Sequence, residues 1–183
     1  QKKMLAGAEM GLSLLDGSLD ATKRAELGKE IKAASDAVDM QIKDLLGEEK
    51  YNEYKTYEKS TNDRVVVGQF RDQLAGTDGA LNPAQEKQLI AAMTEETSAF
   101  KWTTNPDRYQ NPGEADFAEL LSEERLSKLA AEKEMLDAQV LERARQILTA
   151  NQLNQFEQFQ AAQRQLQIAA MKMAATMLGV KRP

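Results

Sequence analysis

Apolar residues recur at the spacing of an α-helix over most of the chain. In the first fifty residues they lie three or four positions apart, at Leu27, Ile31, Ala34, Val38, Ile42 and Leu45. This spacing is one stripe of an amphipathic helix. A short helix is predicted over 48–59, and another up to about residue 75. The second contains the one strand-like run, Val65 to Val67. Because that run is short and has no partner strand, the pattern favours a helix.

Glycine, proline and asparagine divide the rest of the chain. Gly76 to Gly79 predicts a turn. Asn82 followed by Pro83 predicts a helix start, since proline at the first helical position lacks only an N–H that would be unpaired anyway. Residues 103–113 contain two Asn-Pro pairs and are predicted to be the one long loop. Trp102 and Tyr109 lie in or beside it, and either anchor a partner or hold the loop against the domain.

The C-terminal third predicts long helices. Residues 114–178 contain neither proline nor glycine, and their apolar spacing predicts one long helix followed by a second from Thr149. The predicted fold class is therefore all-α, with extended helical hairpins or a bundle, long C-terminal helices and an antiparallel dimer as one arrangement. Residues 1–101 form the predicted N-terminal helical half, 102–113 the loop and 114–183 a long helical hairpin, together one continuous domain.

A helix-start motif recurs along the chain. Leu148, Thr149 and Gln152 follow the pattern L-T-x-x-Q, and Leu81, Asn82 and Gln85 follow it with Asn in place of Thr. In a capping box of this kind, the Thr or Asn side chain accepts from the backbone three residues on. The Gln side chain reaches back to the N–H of the cap residue. The leucine that precedes each cap residue is placed to pack under the first turn.

The match extends beyond the caps. Residues 45–58 align without gaps to residues 147–160, and Leu121 to Arg125 is a shorter echo. Aromatic or apolar stripes follow both aligned starts and are predicted to be core; they are Tyr51, Tyr54 and Tyr57 in the first, and Leu153, Phe156 and Phe159 in the second. Recurring helix caps and an internal duplication both account for the pattern.

Because Leu148 to Gln152 carries the full L-T-x-x-Q motif and Leu81 to Gln85 its near match, the chain resembles the Spy/CpxP family. The Gln- and Met-rich helices are a further similarity. The resemblance implies a small all-helical, cradle-shaped antiparallel dimer in the periplasm. It also implies a role in envelope stress, with ATP-independent chaperone activity in one member of the family.

Composition narrows the possible chemistry. The chain has no His and no Cys, which excludes an ordinary zinc site, a Ser-His relay and a thiol nucleophile. Acidic pairs such as Glu95-Glu96 and Glu123-Glu124 single out no catalytic pair. We therefore predict no catalytic residue, no metal and no cofactor, and a function other than an enzyme's.

The net charge of −5 and the lack of a Lys/Arg cluster argue against a nucleic-acid partner. No apolar run approaches the roughly 20 residues that span a bilayer, so stable membrane insertion is not expected. A protein or peptide is the expected partner, and a homodimer the expected assembly.

The final helix is the predicted binding segment. Its last turns carry apolar side chains around most of the circumference, and the predicted partner-binding residues are Leu166, Ile168, Met171, Met173, Met177 and Leu178. A helix that is apolar nearly all round is buried in a core, in a dimer or against a partner, and methionine suits surfaces that adapt to varied ligands. Ordinary core or dimer packing, a client-binding surface and a membrane-surface helix are the three interpretations.

The chain opens on Gln1 rather than Met, so an upstream segment is expected to have been removed. A cleaved signal peptide and an artificial truncation both explain this. With the resemblance above, the first predicts a periplasmic or otherwise exported protein, and a cytoplasmic one stays open. The predicted function is non-enzymatic binding of proteins or peptides, chaperone-like or stress-related. The alternative is a structural or regulatory dimerisation module.

Overall fold

The computed structural model of the chain describes residues 21–104 and 117–177. Within them the helices are α1 Ala21–Lys59, α2 Thr61–Leu74, α3 Pro83–Ala99, α4 Phe117–Leu120, α5 Glu123–Ala144 and α6 Ala150–Met177. No strand occurs among these residues, and Val65 to Val67 lie in α2. The predicted all-α class is confirmed.

The described residues fall into two compact units, one formed by 21–55 and the other by 56–104 with 117–177. In the first unit, α1 is interrupted at Gly47, whose φ of +73° and ψ of 168° are not helical. The Tyr51 hydroxyl donates to the Asp39 carboxylate at 2.6 Å, although twelve residues of straight helix would separate them by about 18 Å. The chain therefore folds back at Gly47.

The second unit is an up-down-up-down four-helix bundle. Polar contacts fix the antiparallel order of neighbouring helices: Arg71 of α2 pairs with Glu86 of α3, Arg143 of α5 with Glu95 and Glu96 of α3, Arg164 of α6 with Asp137 of α5, and Gln163 of α6 with Gln69 of α2. The helices thus follow one another around the bundle as α2, α3, α5 and α6. This arrangement places α3 diagonally across from α6.

The core lies along the axis of this bundle. Phe70 of α2 packs its ring against Phe156 and Phe159 of α6, with centroids 5.0 and 5.4 Å apart. Leucine, valine and methionine side chains of α2, α3 and α5 surround these rings: Val67, Leu74, Leu89, Met93, Leu136 and Val140. Trp102 also packs on this core, with its ring edge against Phe100. Tyr109 lies outside the described residues.

The two predicted aromatic stripes have different surroundings. Phe156 and Phe159 are buried as predicted, with Leu153 packed partly buried beside them. The prediction of a core stripe was wrong for the tyrosines, because Tyr51 and Tyr54 are half-buried and Tyr57 is exposed. Hydroxyl chemistry explains part of the difference, since Tyr51 uses its polar end to bind Asp39.

The prediction of one long helix over most of 114–147 was also wrong. The helix α4 ends at Leu120, and α5 begins at Glu123 with Ser122 as its N-cap, where the Ser122 hydroxyl accepts from the Arg125 N–H at 3.4 Å. The apolar period continues across the break because Leu120, Leu121 and Leu126 are all buried. The local cap therefore interrupts a helix that hydrophobic spacing alone would extend. The sequence echo from Leu121 to Arg125 is a helix start.

Candidate functional site

Both predicted capping boxes form. At the start of α3 the Asn82 side chain accepts from the Gln85 N–H at 2.9 Å, and the Gln85 side chain accepts from the Asn82 N–H at 3.1 Å. At the start of α6 the Thr149 hydroxyl accepts from the Gln152 N–H at 3.4 Å, and the Gln152 side chain accepts from the Thr149 N–H at 2.9 Å. Gly47, which aligns with Thr149, has no side chain with which to cap.

The two boxes contact each other at one end of the bundle. The Gln85 amide nitrogen donates to the Gln152 side-chain oxygen at 2.9 Å and to the Ile147 carbonyl at 3.1 Å. The Gln152 amide nitrogen donates to the carbonyls of Gly79 and Ala80 at 3.1 and 3.3 Å. Each glutamine thus closes its own cap and binds the loop of the other hairpin. We call this pair the glutamine node.

The leucines of both motifs lie beneath the glutamine node. Leu148 is buried in the core, and Leu81 packs against the core partly buried. Gln152 itself is buried, and its polar atoms are paired, as burial demands. The node therefore ties the N-terminus of α6 to the bundle, and it is a structural element of the fold.

The C-terminal half of α6 has a different environment on each side. Leu166, Met173 and Met177 are 68, 66 and 85% exposed. Together with three exposed alanines they form one outward-facing line, which we call the outer stripe: Ala162, Leu166, Ala169, Ala170, Met173 and Met177. All six positions on this face are apolar over four turns of the helix. An exposed apolar strip of this kind is typical of a contact surface.

The predicted partner-binding residues therefore do not form one surface. Ile168 and Met171 are half-buried and lie on the opposite side of α6, as their offsets from Leu166 and Met173 require at 100° per residue. Leu178 lies outside the described residues. Sequence reasoning missed Ala162, Ala169 and Ala170, although their helical spacing to Leu166 and Met173 was a usable signal.

Polar contacts hold this half of α6 against α5. The Arg164 guanidinium donates to the Asp137 carboxylate between the two helices, and both side chains are half-buried or more. Burial raises the pKa of Asp137 against the opposing effect of Arg164, and burial lowers the pKa of Lys133 beside them. These groups lie on the bundle side of α6, away from the outer stripe.

The acidic residues that are buried serve the fold. The Glu132 carboxylate of α5 accepts from the N–H and hydroxyl groups of both Thr103 and Thr104, at 2.7 Å for the Thr103 N–H and 3.2 Å for the Thr104 N–H. Burial by itself raises the pKa of Glu132, but these four hydrogen bonds outweigh it and lower the pKa to about 2. Both oxygens are occupied, so Glu132 clamps the segment that follows α3 onto α5.

Asp63 is the second buried carboxylate of interest. It lies in the first turn of α2 and accepts from the Thr94 hydroxyl of α3 at 2.9 Å. Burial raises the pKa of Asp63, and the Thr94 hydrogen bond opposes that rise. A single hydroxyl partner compensates the buried charge poorly, and the pair joins α2 to α3 near the open end of their hairpin.

Within residues 21–104 and 117–177, no three Asp or Glu side chains converge into a group that could hold a metal ion. No helix in the same part of the chain is long and apolar enough to cross a bilayer.

Comparison of the chain with protein-family models, with curated proteins and with solved structures finds no significant match.

Proposed function

We propose that the chain is a non-enzymatic protein-binding protein and that the outer stripe of α6 is its contact surface. One observation carries the proposal: six exposed positions along one face of a helix anchored in a bundle are all apolar. Burying a Leu or Met side chain that is otherwise in water contributes about 1.5–3 kcal/mol. Burial of three such side chains in one line therefore contributes several kcal/mol of favourable free energy to association.

The composition of the outer stripe suits a protein partner. Thioether side chains such as those of Met173 and Met177 adapt their shape to the surface they meet, and the alanines of the outer stripe permit a second helix to approach closely. Lys172 is the one charged residue between Gln165 and Met177. A surface of this kind binds through apolar contact, with little electrostatic selection of the partner.

The resemblance to the Spy/CpxP family extends this proposal. It supports an envelope location, most simply the periplasm, and an unfolded or partly folded polypeptide as the bound protein. The two capping boxes of the glutamine node support the resemblance, because their residues are those of the L-T-x-x-Q motif on which it is based. Family membership, export and chaperone-like activity are all parts of the proposal.

The second candidate is a structural or regulatory dimerisation module, with the same stripe as a permanent interface. The observation that favours it is the pair of exposed alanines, Ala169 and Ala170, between Leu166 and Met173, which leaves room for a second helix to approach. Both candidates share the surface and differ in what covers it.

Aggregation of a reduced model client such as insulin tests the client-binding form. The wild-type protein at molar excess is expected to delay light scattering. The variant Leu166→Ser/Met173→Ser/Met177→Ser should lose most of that effect, because the apolar area of the stripe is removed while the bundle core is untouched. Circular dichroism should show unchanged helix content.

The matched control is Gln165→Ser/Gln167→Ser, which changes two exposed polar side chains on the same helix and should behave as wild type. If the triple variant matches wild type in both client protection and self-association, the outer stripe binds nothing and the proposal fails. The proposal also fails if the control variant loses client protection to the same extent as the triple variant.

A further inference from the structure

Lys133 of α5 is a half-buried lysine to which the fold gives no counterion. It lies four residues before Asp137 and therefore on the same face of the helix. The Asp137 carboxylate accepts from Arg164 of α6, and nothing among the described residues forms an ion pair or a hydrogen bond with the Lys133 ammonium. Taking a charged group partly out of water without a partner costs free energy, so a contribution to stability does not explain this lysine.

The place of Lys133 relative to α6 follows from the pair between Arg164 and Asp137. Because α5 and α6 are antiparallel, one turn towards the start of α5 brings Lys133 level with Ile168, which lies one turn beyond Arg164. Ile168 and Met171 are half-buried apolar side chains on this side of α6. The Lys133 amine is therefore bordered by apolar side chains and by the Arg164 guanidinium.

These surroundings favour the uncharged form of the amine. Burial lowers the pKa of Lys133, the Asp137 carboxylate raises it, and the positive charge of Arg164 lowers it again, so that the pKa lies below the ordinary value of 10.5. Desolvation beside another cation is one of the ways in which proteins activate a lysine, because only the neutral amine has the lone pair that attacks an electrophile. A group perturbed in this way is a candidate for chemistry.

We propose that Lys133 is a covalent capture site for small aldehydes, which it binds as a Schiff base. After the ammonium has lost its proton to solvent, Nζ attacks the carbonyl carbon and a C–N bond forms. The carbonyl oxygen then leaves as water with the two hydrogens of the amine. This step uses no oxidant or reductant, and hydrolysis reverses it. A small aldehyde suits the site because the amine is only partly exposed and its neighbours on α6 are apolar.

The capture is stoichiometric and goes beyond the proposed function. It uses the side of α6 that faces α5, whereas protein binding uses the outer stripe on the opposite side. Loss of aldehyde capture would therefore leave the proposed function intact, and loss of protein binding would leave aldehyde capture intact.

Reductive trapping measures this reactivity at each lysine separately. The full chain is treated with propanal and cyanoborohydride, which reduces the Schiff base to a stable secondary amine, at several values between about pH 6 and about pH 10. Peptide mass spectrometry then quantifies each product. Lys133 is expected to react several-fold faster than Lys87, an exposed lysine of α3, at the lower end of this range. Lys133→Arg should remove that product alone and leave the circular dichroism spectrum unchanged.

Two charge variants test the electrostatic cause of the reactivity. Arg164→Gln removes the neighbouring cation, so the pH midpoint of labelling at Lys133 should rise, and Arg164→Lys keeps the charge and should retain the wild-type midpoint. Asp137→Asn removes the carboxylate that stabilises the ammonium, so it should lower the midpoint. A purely structural role of the pair predicts the opposite for Asp137→Asn, because loosening α6 would expose Lys133 to water and raise its pKa.

Two results would overturn the inference. The first is a wild-type Lys133 that reacts no faster than Lys87 at any pH in the range, since the amine would then have no special reactivity. The second is a midpoint that rises in Asp137→Asn as it does in Arg164→Gln, because the charges around Lys133 would then not be what activates it.

Discussion

At the scale of single residues, the Glu132 carboxylate is a buried acceptor with hydrogen bonds to both of its oxygens. It accepts four hydrogen bonds from Thr103 and Thr104. Replacing it by glutamine turns one acceptor oxygen into a donor facing another donor. We expect Glu132→Gln to lower the free energy of unfolding by about 1–3 kcal/mol at neutral pH, as measured by urea denaturation. Glu134→Gln, an exposed change on the same helix, should have little effect, and equal losses would contradict the clamp.

The pKa of Glu132 also predicts a pH dependence. Because the folded pKa is about 2 and the ordinary value is 4.5, its stabilisation is complete above 4.5 and is lost as pH falls towards 2. The difference between wild type and Glu132→Gln should therefore shrink over that window. A constant difference would mean that the carboxylate charge is not what stabilises the clamp.

The charge of Asp63 should have the opposite effect on stability to that of Glu132. Burial raises its pKa above the ordinary 3.8. Ionisation of Asp63 therefore lowers the stability of the folded state relative to the unfolded state as the pH rises above that value. Asp63→Asn keeps an oxygen for the Thr94 hydroxyl and removes the charge. We expect the variant to equal or exceed wild type in stability at neutral pH, and the gain to vanish as the pH falls below the ordinary value of 3.8. Asp78→Asn in an exposed turn is the control, and a large loss in Asp63→Asn would contradict the argument.

At the scale of one element, two glycines with different backbone conformations allow the effect of φ and ψ to be measured apart from that of side-chain packing. An added Cβ meets no atom within 4 Å at either Gly47 or Gly68, yet Gly47 has φ +73° and ψ 168° while Gly68 lies inside helix α2. Gly47→Ala should cost about 1–3 kcal/mol locally, seen as faster amide hydrogen exchange over residues 36–55. Gly68→Ala should stabilise α2 by about 0.5–1 kcal/mol. Slower exchange in Gly47→Ala would mean that the fold-back does not depend on glycine.

The helices also show where sequence reasoning works. Hydrophobic period and cap residues predicted α3, α6 and both capping boxes because these depend on residues within one or two turns. The break at Ser122 was missed since apolar residues continue through it. For α6, composition revealed an apolar circumference, but only the burial of the folded helix separates the half-buried Ile168 and Met171 from the outer stripe.

At the scale of the whole molecule, the glutamine node joins two hairpins that are far apart in sequence. Local patterns predicted each capping box, but the Gln85–Gln152 contact spans 67 residues and depends on how the hairpins pack. We expect Gln85→Ala and Gln152→Ala to be non-additive, with a coupling energy of about 0.5–2 kcal/mol in a double-mutant cycle of unfolding free energies. Gln152→Ala with Ser122→Ala, whose cap is separate, should be additive. Additive effects in the first pair would mean two independent caps.

Net charge acts on the molecule as a whole, and it opposes the self-association through α6 that the proposed dimerisation module requires. Each copy carries a net charge of −5, whereas the outer stripe itself has no charged residue. Lys172 is the one charged side chain beside its centre. Two copies therefore repel at long range and attract only on apolar contact. Raising NaCl from about 0.01 M to about 0.15 M shortens the screening length from about 30 to about 8 Å. We expect the dimer association constant to rise several-fold over this range in sedimentation equilibrium. Leu166→Ser/Met173→Ser should remain monomeric throughout. A dimer that weakens with salt would need ion pairs across its interface, which the outer stripe cannot provide.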